Sequence, residues 1–165
     1  MKKVAIVMGS DSDLPIVKKA AQVLKDFGVP TELRVLSAHR CAAEVSEFAR
    51  NAEKNGTGVI IAAAGMAAHL AGAIAANTTL PVIGIPIKAS ALEGIDALLS
   101  TVQMPAGVPV ATVAIDGAAN AAFLAVQILA VSDDALMDKM KAYRSAQTAK
   151  VLEADKKMEQ VLAEL

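Results

Sequence analysis

Four runs of nearly unbroken apolar residues mark the chain, at Lys3–Met8, Gly58–Ala63, Pro81–Pro86 and Val110–Ile115; a fifth, Thr31–Leu36, is more polar. Short apolar runs without alternation predict strands of a parallel sheet covered on both faces. Helical stretches fit between them, at about Leu14–Phe27, Ala42–Asn55, Met66–Asn77, Ala91–Leu99 and Ala118–Val131. Gly28 and Gly56 follow the first two, where glycine commonly ends a helix. Five strand-helix units predict a doubly wound three-layer α/β/α sandwich, because right-handed crossovers put helices on both faces. No linker, repeat or low-complexity tract interrupts it, so residues 1–165 read as a single domain.

The last stretch follows another pattern. Asp133-Asp134 form a good helix start, and Ala135 to Leu165 contains neither glycine nor proline. Leu136, Met140, Tyr143, Gln147, Val151, Met158, Val161 and Leu162 give a partly regular apolar stripe among charges. A helix of about 30 residues is longer than a small sandwich can cover. Two readings of 133–165 follow: a solvated final helix packed on its own subunit, or an arm lying across a neighbouring one.

Composition narrows the partners. Lys and Arg number 16 against 17 Asp and Glu, a formal charge of −1, so nothing advertises nucleic acid as a ligand. One cysteine allows no internal disulfide framework, and the sequence carries no Cys-His metal spacing and no redox-cofactor motif. The apolar run after Lys2-Lys3 is too short for a signal peptide and ends in Gly9-Ser10-Asp11, so a cytoplasmic protein is expected. Between Thr57 and Ser132 the charged residues are Lys88, Glu93, Asp96 and Asp116. So few charges cannot solvate that much surface, which predicts a homo-oligomer. Gly58 to Ala76 is uncharged and long enough to span a bilayer by length, but it is mostly alanine and glycine, contains His69 and lacks an aromatic belt. A buried strand and a tightly packed helix explain it better than a membrane span.

In open α/β sheets, ligands bind beyond the carboxyl ends of the strands. Three segments there carry usable chemistry. Gly9-Ser10-Asp11-Ser12-Asp13 joins a close-approach glycine to hydroxyls and helix N-terminal amides that suit a phosphate. Its aspartates would repel phosphate, so at least one of them suits ribose hydroxyls; alternatively Asp13, before Leu14-Pro15, simply caps a helix. Ser37-Ala38-His39-Arg40 sets a phosphate fork beside a group that exchanges protons near neutral pH. Ala64-Gly65-Met66-Ala67-Ala68-His69-Leu70 leaves room for a ligand or for close packing, and His69 reads equally as a buried structural histidine. Cys41 reads as small-residue packing. Met8, Met66 and Met104 read as core or pocket lining. Acid-base chemistry on a small nucleotide follows; the reaction does not.

Met8–Asp13, Ser37–Arg40, Ala67-Ala68-His69-Leu70, Val102-Gln103-Met104-Pro105 and Gly107-Val108-Pro109-Val110 together resemble the N5-carboxyaminoimidazole ribonucleotide mutases, the class I phosphoribosylaminoimidazole carboxylase family. The resemblance covers nearly the whole chain. It implies a flavodoxin-like sandwich assembled as an octamer, with the last helix on a neighbour, no cofactor, and a small ribonucleotide substrate. It implies that Ser10, Asp13 and Arg40 bind the ribonucleotide with Ser12 and Ser37 close by. His39 is the implied proton shuttle, and Ala64, Gly65, His69 and Leu70 the implied pocket that retains carbon dioxide. The chain departs from the family pattern at Cys41-Ala42 for Thr-Pro, at Ala63-Ala64-Gly65-Met66 for Gly-Ala-Gly-Gly, and at Ala71 for a proline. Two alternatives remain in view: a class II carboxylase using free carbon dioxide, and a nucleotide-binding module without activity on the same fold.

Overall fold

In the computed structural model, which describes residues 1–164, the chain forms a five-stranded parallel sheet between two layers of helices. The strands are β1 (Lys3–Met8), β2 (Thr31–Val35), β3 (Thr57–Gly65), β4 (Val82–Ile87) and β5 (Ala111–Thr112), in the spatial order β2-β1-β3-β4-β5. The helices are α1 (Leu14–Phe27), α2 (Ala42–Asn51), α3 (Leu70–Ala75), α4 (Ile95–Val102), α5 (Ala118–Ala130) and α6 (Asp134–Ala163). Leu165, where the sequence pattern ends the last helix, lies outside the described residues.

Alternate residues of the central strands feed two separate cores. Val4, Ile6 and Met8 of β1, with Val59 and Ile61 of β3, pack against Val17, Ala20 and Leu24 of α1 and the alanine-rich face of α5. Val7, Ile60, Ala62 and Val82 face Val45 and Ala49 of α2 and Leu70 and Ile74 of α3. Both faces of β1, β3 and β4 are therefore dry, which is why these strands show no polar alternation. β2 is an edge strand with one flank open, and Leu33 and Val35 are exposed there.

Local chemistry sets most boundaries. Pro15 opens α1, and Gly28 closes it in the left-handed conformation (φ 74°), its N–H returning to Leu24 and Lys25 carbonyls. α2 stops at Asn51 rather than Asn55, and a turn then runs to Gly56 (φ 81°). Met66 (φ 56°) and Glu93 (φ 54°) adopt left-handed backbone, so α3 starts at Leu70 instead of Met66, and α4 at Ile95 instead of Ala91. β5 keeps two ladder residues of the expected Val110–Ile115, because the chain turns at Ala114 and reaches Asp116 with φ 56°.

α6 divides into two parts. Asp133 caps it, accepting the Leu136 N–H at 3.0 Å, and Leu136 and Met140 are buried in the first core. Tyr143 packs on Phe27 and Phe123, with ring centroids 5.8 and 4.7 Å away, and Lys139 Nζ donates to the Phe27 carbonyl at 2.9 Å. From Arg144 onward every described side chain is exposed. No described helix is long and apolar enough to cross a membrane.

Candidate active site

The order β2-β1-β3 places a topological switch point between β1 and β3, where helices leave on opposite faces and a crevice opens. A cavity of about 600 Å³ lies there, over the carboxyl ends of β1 to β4. Ser10, Ser12, Asp13, Ser37, His39, Arg40, Ala64, Gly65, His69 and Leu70 all line it.

The loop after β1 enters a short 3₁₀ turn, Asp11–Asp13, capped by Ser10, whose hydroxyl accepts the Ser12 N–H. Ser12 Oγ donates to Ser10 Oγ at 2.9 Å, drawing two hydroxyls together at the cavity wall. Asp13 precedes α1 but makes no side-chain cap, so the helix start does not account for its carboxylate. Burial pushes that carboxyl above its ordinary range, opposed by hydrogen bonds from Ser12 and Ser10 and aided by the charges of Asp11 and Asp116. A partly desolvated acceptor without a cap is well suited to ligand hydroxyls.

The loop after β2 is tied to the loop after β1. Arg40 Nη2 donates to the Gly9 carbonyl at 2.8 Å, and Nε donates to Ser37 Oγ at 3.2 Å. The guanidinium is thereby fixed at the rim with donors to spare for an anion. Cys41 closes the loop: its Sγ accepts the Ser37 N–H at 3.1 Å and donates back to the Ser37 carbonyl at 3.3 Å. A threonine hydroxyl could make similar bonds, so this departure from the family pattern keeps the local geometry.

The third loop brings the two histidines together. His39 Nε2 lies 2.7 Å from His69 Nδ1, and the rings stand perpendicular with centroids 4.9 Å apart. Both side chains are exposed, so His69 is not the buried structural histidine that the sequence left open. A contact this short holds one hydrogen, with one ring nitrogen donating and the other accepting. Gly65 gives close clearance in the same loop: a Cβ there would sit 3.1 Å from the Ile87 carbonyl of β4, which would have to shift by a few tenths of an ångström. Leu70 is buried and forms part of the floor, while Met66 is exposed at the mouth.

Sequence motifs passed over one wall. Ile87, Lys88 and Ala89, at the end of β4, also line the cavity. The Lys88 ammonium pairs with the Glu93 carboxylate, whose hydrogen bond holds it above the usual lysine range, and the Lys88 N–H donates to Asp116 Oδ1 at 3.0 Å. The available signal was a lone cation in a charge-poor stretch, just past the predicted strand Pro81–Pro86. No group of three or more His, Cys, Asp or Glu side chains among the described residues could hold a metal ion.

Fold and cavity together define a flavodoxin-like α/β protein whose switch-point crevice carries a serine-aspartate loop, a fixed arginine and a histidine pair. Residues 3–150 match the AIR carboxylase family, and the chain belongs to it. It is 59% identical over 144 residues to the N5-carboxyaminoimidazole ribonucleotide mutase of Pyrococcus abyssi, covering 87% of this chain and 83% of that one. To the protein of the same name from Thermotoga maritima it is 51% identical, over 98% and 94% of the two chains. The crystal structure of Treponema denticola PurE superposes with a TM-score of 0.86 at 32% identity, covering 93% of this chain and 96% of that one.

Proposed function

We propose that this protein is a cytoplasmic isomerase of purine biosynthesis that converts N5-carboxyaminoimidazole ribonucleotide to 4-carboxy-5-aminoimidazole ribonucleotide. The observation that carries this reading is the His39–His69 contact at the mouth of a cavity walled by small residues and flanked by Arg40, Ser10 and Asp13. The names of the mutases aligned over most of the chain point to the same substrate.

In this reading Arg40 and the hydroxyls of Ser10, Ser12 and Ser37 hold the phosphate, and Asp13 accepts hydrogen bonds from the ribose. The exocyclic N–C bond breaks, carbon dioxide leaves, and His39 gives the nitrogen a proton. Carbon dioxide waits against Ala64, Gly65 and Leu70, where little water competes for it. The aminoimidazole, an enamine at its ring carbon, attacks it there, and His39 takes the proton that this carbon sheds. Its protonation state is restored and no electrons are exchanged, so the reaction as written needs no cofactor. His69 holds Nε2 of His39 and thereby selects which nitrogen exchanges protons with substrate.

We further propose that, of the expected arm 133–165, the part from Arg144 onward lies on a neighbouring subunit of a homo-octamer, while Asp133 to Tyr143 pack on their own protomer. The exposed outer half of α6, and the exposed Leu92, Ile95, Leu99 and Val102 on and before α4, support assembly through large apolar surfaces.

Separate assays with each substrate test the chemistry. The N-carboxy ribonucleotide should be converted without added bicarbonate, and aminoimidazole ribonucleotide with low bicarbonate should not. Turnover of the second alone would replace the mutase with a class II carboxylase, and turnover of neither would leave a binding module.

A further inference from the structure

The cavity is bracketed by two cations held in different ways. Arg40 follows β2 and Lys88 follows β4, and both line the same space. The order β2-β1-β3-β4 puts three interstrand steps between them, roughly 14 Å at about 4.8 Å per step. Both residues line the cavity between those strand ends, a separation that the length of a nucleotide can span. Arg40 is pinned by Gly9 and Ser37 beside the serine loop. Lys88 is pinned at its backbone by Asp116, while its ammonium is ion-paired with Glu93 and also feels the Asp116 charge. The two side chains of that pair are 54% and 65% exposed. Ion pairs so exposed are weak in water and exchange partners readily.

The proposed substrate has the matching charge pattern. It is anionic at both ends, with a phosphate on the ribose and a carboxylate on the exocyclic nitrogen of the imidazole. The product carries its carboxylate on the adjacent ring carbon, and the decarboxylated intermediate carries none. We infer that Lys88 is a specificity-determining residue that leaves Glu93 to pair with the carboxylate of the carboxylated ribonucleotide while Arg40 holds the phosphate. This rests on the function proposed above and adds the group that distinguishes carboxylated from uncarboxylated ligand. Glu93 has a matching part. When the carboxylate becomes neutral carbon dioxide the ammonium loses its partner, and Glu93 takes it back. Lys88 therefore alternates between two carboxylates, never binding the departing one so firmly that N–C cleavage is resisted.

The test compares two ligands on the full-length protein: the carboxylated product and aminoimidazole ribonucleotide, each by calorimetric titration. Lys88→Met should weaken the carboxylated ligand at least about tenfold, the scale of one charge-assisted hydrogen bond, and the uncarboxylated one less than about twofold. Lys88→Arg should retain most of the discrimination. Glu93→Gln should tighten the carboxylated ligand severalfold by freeing the ammonium. Equal weakening of both ligands in Lys88→Met, or no weakening of either, overturns the inference while leaving the mutase reading intact. Failure of the unaltered protein to bind either ligand sinks the mutase reading itself. Circular dichroism spectra and melting curves matching the parent confirm that each surface variant is folded.

Discussion

Ending the chain after Ser145 isolates what the outer part of α6 does. At 1.5 Å per residue the 30-residue helix is about 45 Å long. Its first ten residues hold Leu136, Met140 and Tyr143, which belong to the protomer core. The removed part holds Val151, Leu152, Met158, Val161 and Leu162, which are 67%, 56%, 57%, 48% and 73% exposed. Deleting 146–165 takes no described buried side chain, so the intrinsic protomer stability should shift by less than about 0.5 kcal/mol. Complete burial of one such side chain is worth about 1.5–3 kcal/mol. With each about half covered already, docking the five on a neighbour contributes roughly 4–8 kcal/mol per arm before the costs of association. Losing that weakens subunit contacts by about three to six orders of magnitude. Sedimentation or light scattering should show the full chain as an octamer and the truncated chain as smaller, folded species. An unchanged assembly mass would refute the arm. Cutting at Asp133 is the wrong experiment, because it also removes Leu136, Met140 and Tyr143 and so opens the protomer core.

Other outcomes follow from the cavity. His39→Asn should slow turnover at least about a hundredfold while leaving ribonucleotide affinity within about tenfold, read by steady-state kinetics and direct binding. Arg40→Ala should weaken binding about tenfold or more, since it removes the phosphate donors and the tie to Gly9; unchanged affinity would move the phosphate elsewhere. Asp13→Asn should weaken ribose binding about tenfold or more yet raise the melting temperature of the ligand-free protein. The sign follows from the raised carboxyl: the folded state disfavours the ionised form, so stability is lost as pH rises through the window between the ordinary carboxyl range and the raised value. The gap between variant and parent should therefore be present at neutral pH and close as pH falls through that window.

Much of this geometry was legible from residue order, and the exceptions share a cause. α1 was readable from Leu14 to Phe27 because Pro15, the apolar spacing and Gly28 agree. The starts of α3 and α4 were not, because Met66 and Glu93 look like helix formers and give no sign of left-handed backbone. The ten proposed site residues could be gathered from strand ends, since a parallel sheet delivers those ends to one edge. Contact between His39 and His69 could not be read, because they follow β2 and β3, which β1 separates. Nor could the fate of Asp13: whether a carboxylate caps a helix or faces a cavity depends on side-chain direction. Lys88 escaped because its strand was drawn to end at Pro86, one residue before its observed end at Ile87.

Among the described residues, Met66, Glu93 and Asp116 are the non-glycine ones with positive φ, and they follow β3, β4 and β5 around one rim. Each such conformation costs about 1–2 kcal/mol relative to relaxed backbone. The described residues thus keep their conformational tension at the edge that holds the cavity, and the opposite edge shows it only at glycines. Directed evolution for heat resistance would find easy gains at these three positions, glycine at 66 first. At position 66 that change restores the glycine of the family pattern, whereas at 93 and 116 it would act on the lysine's carboxylate and on the aspartate that fixes the lysine backbone.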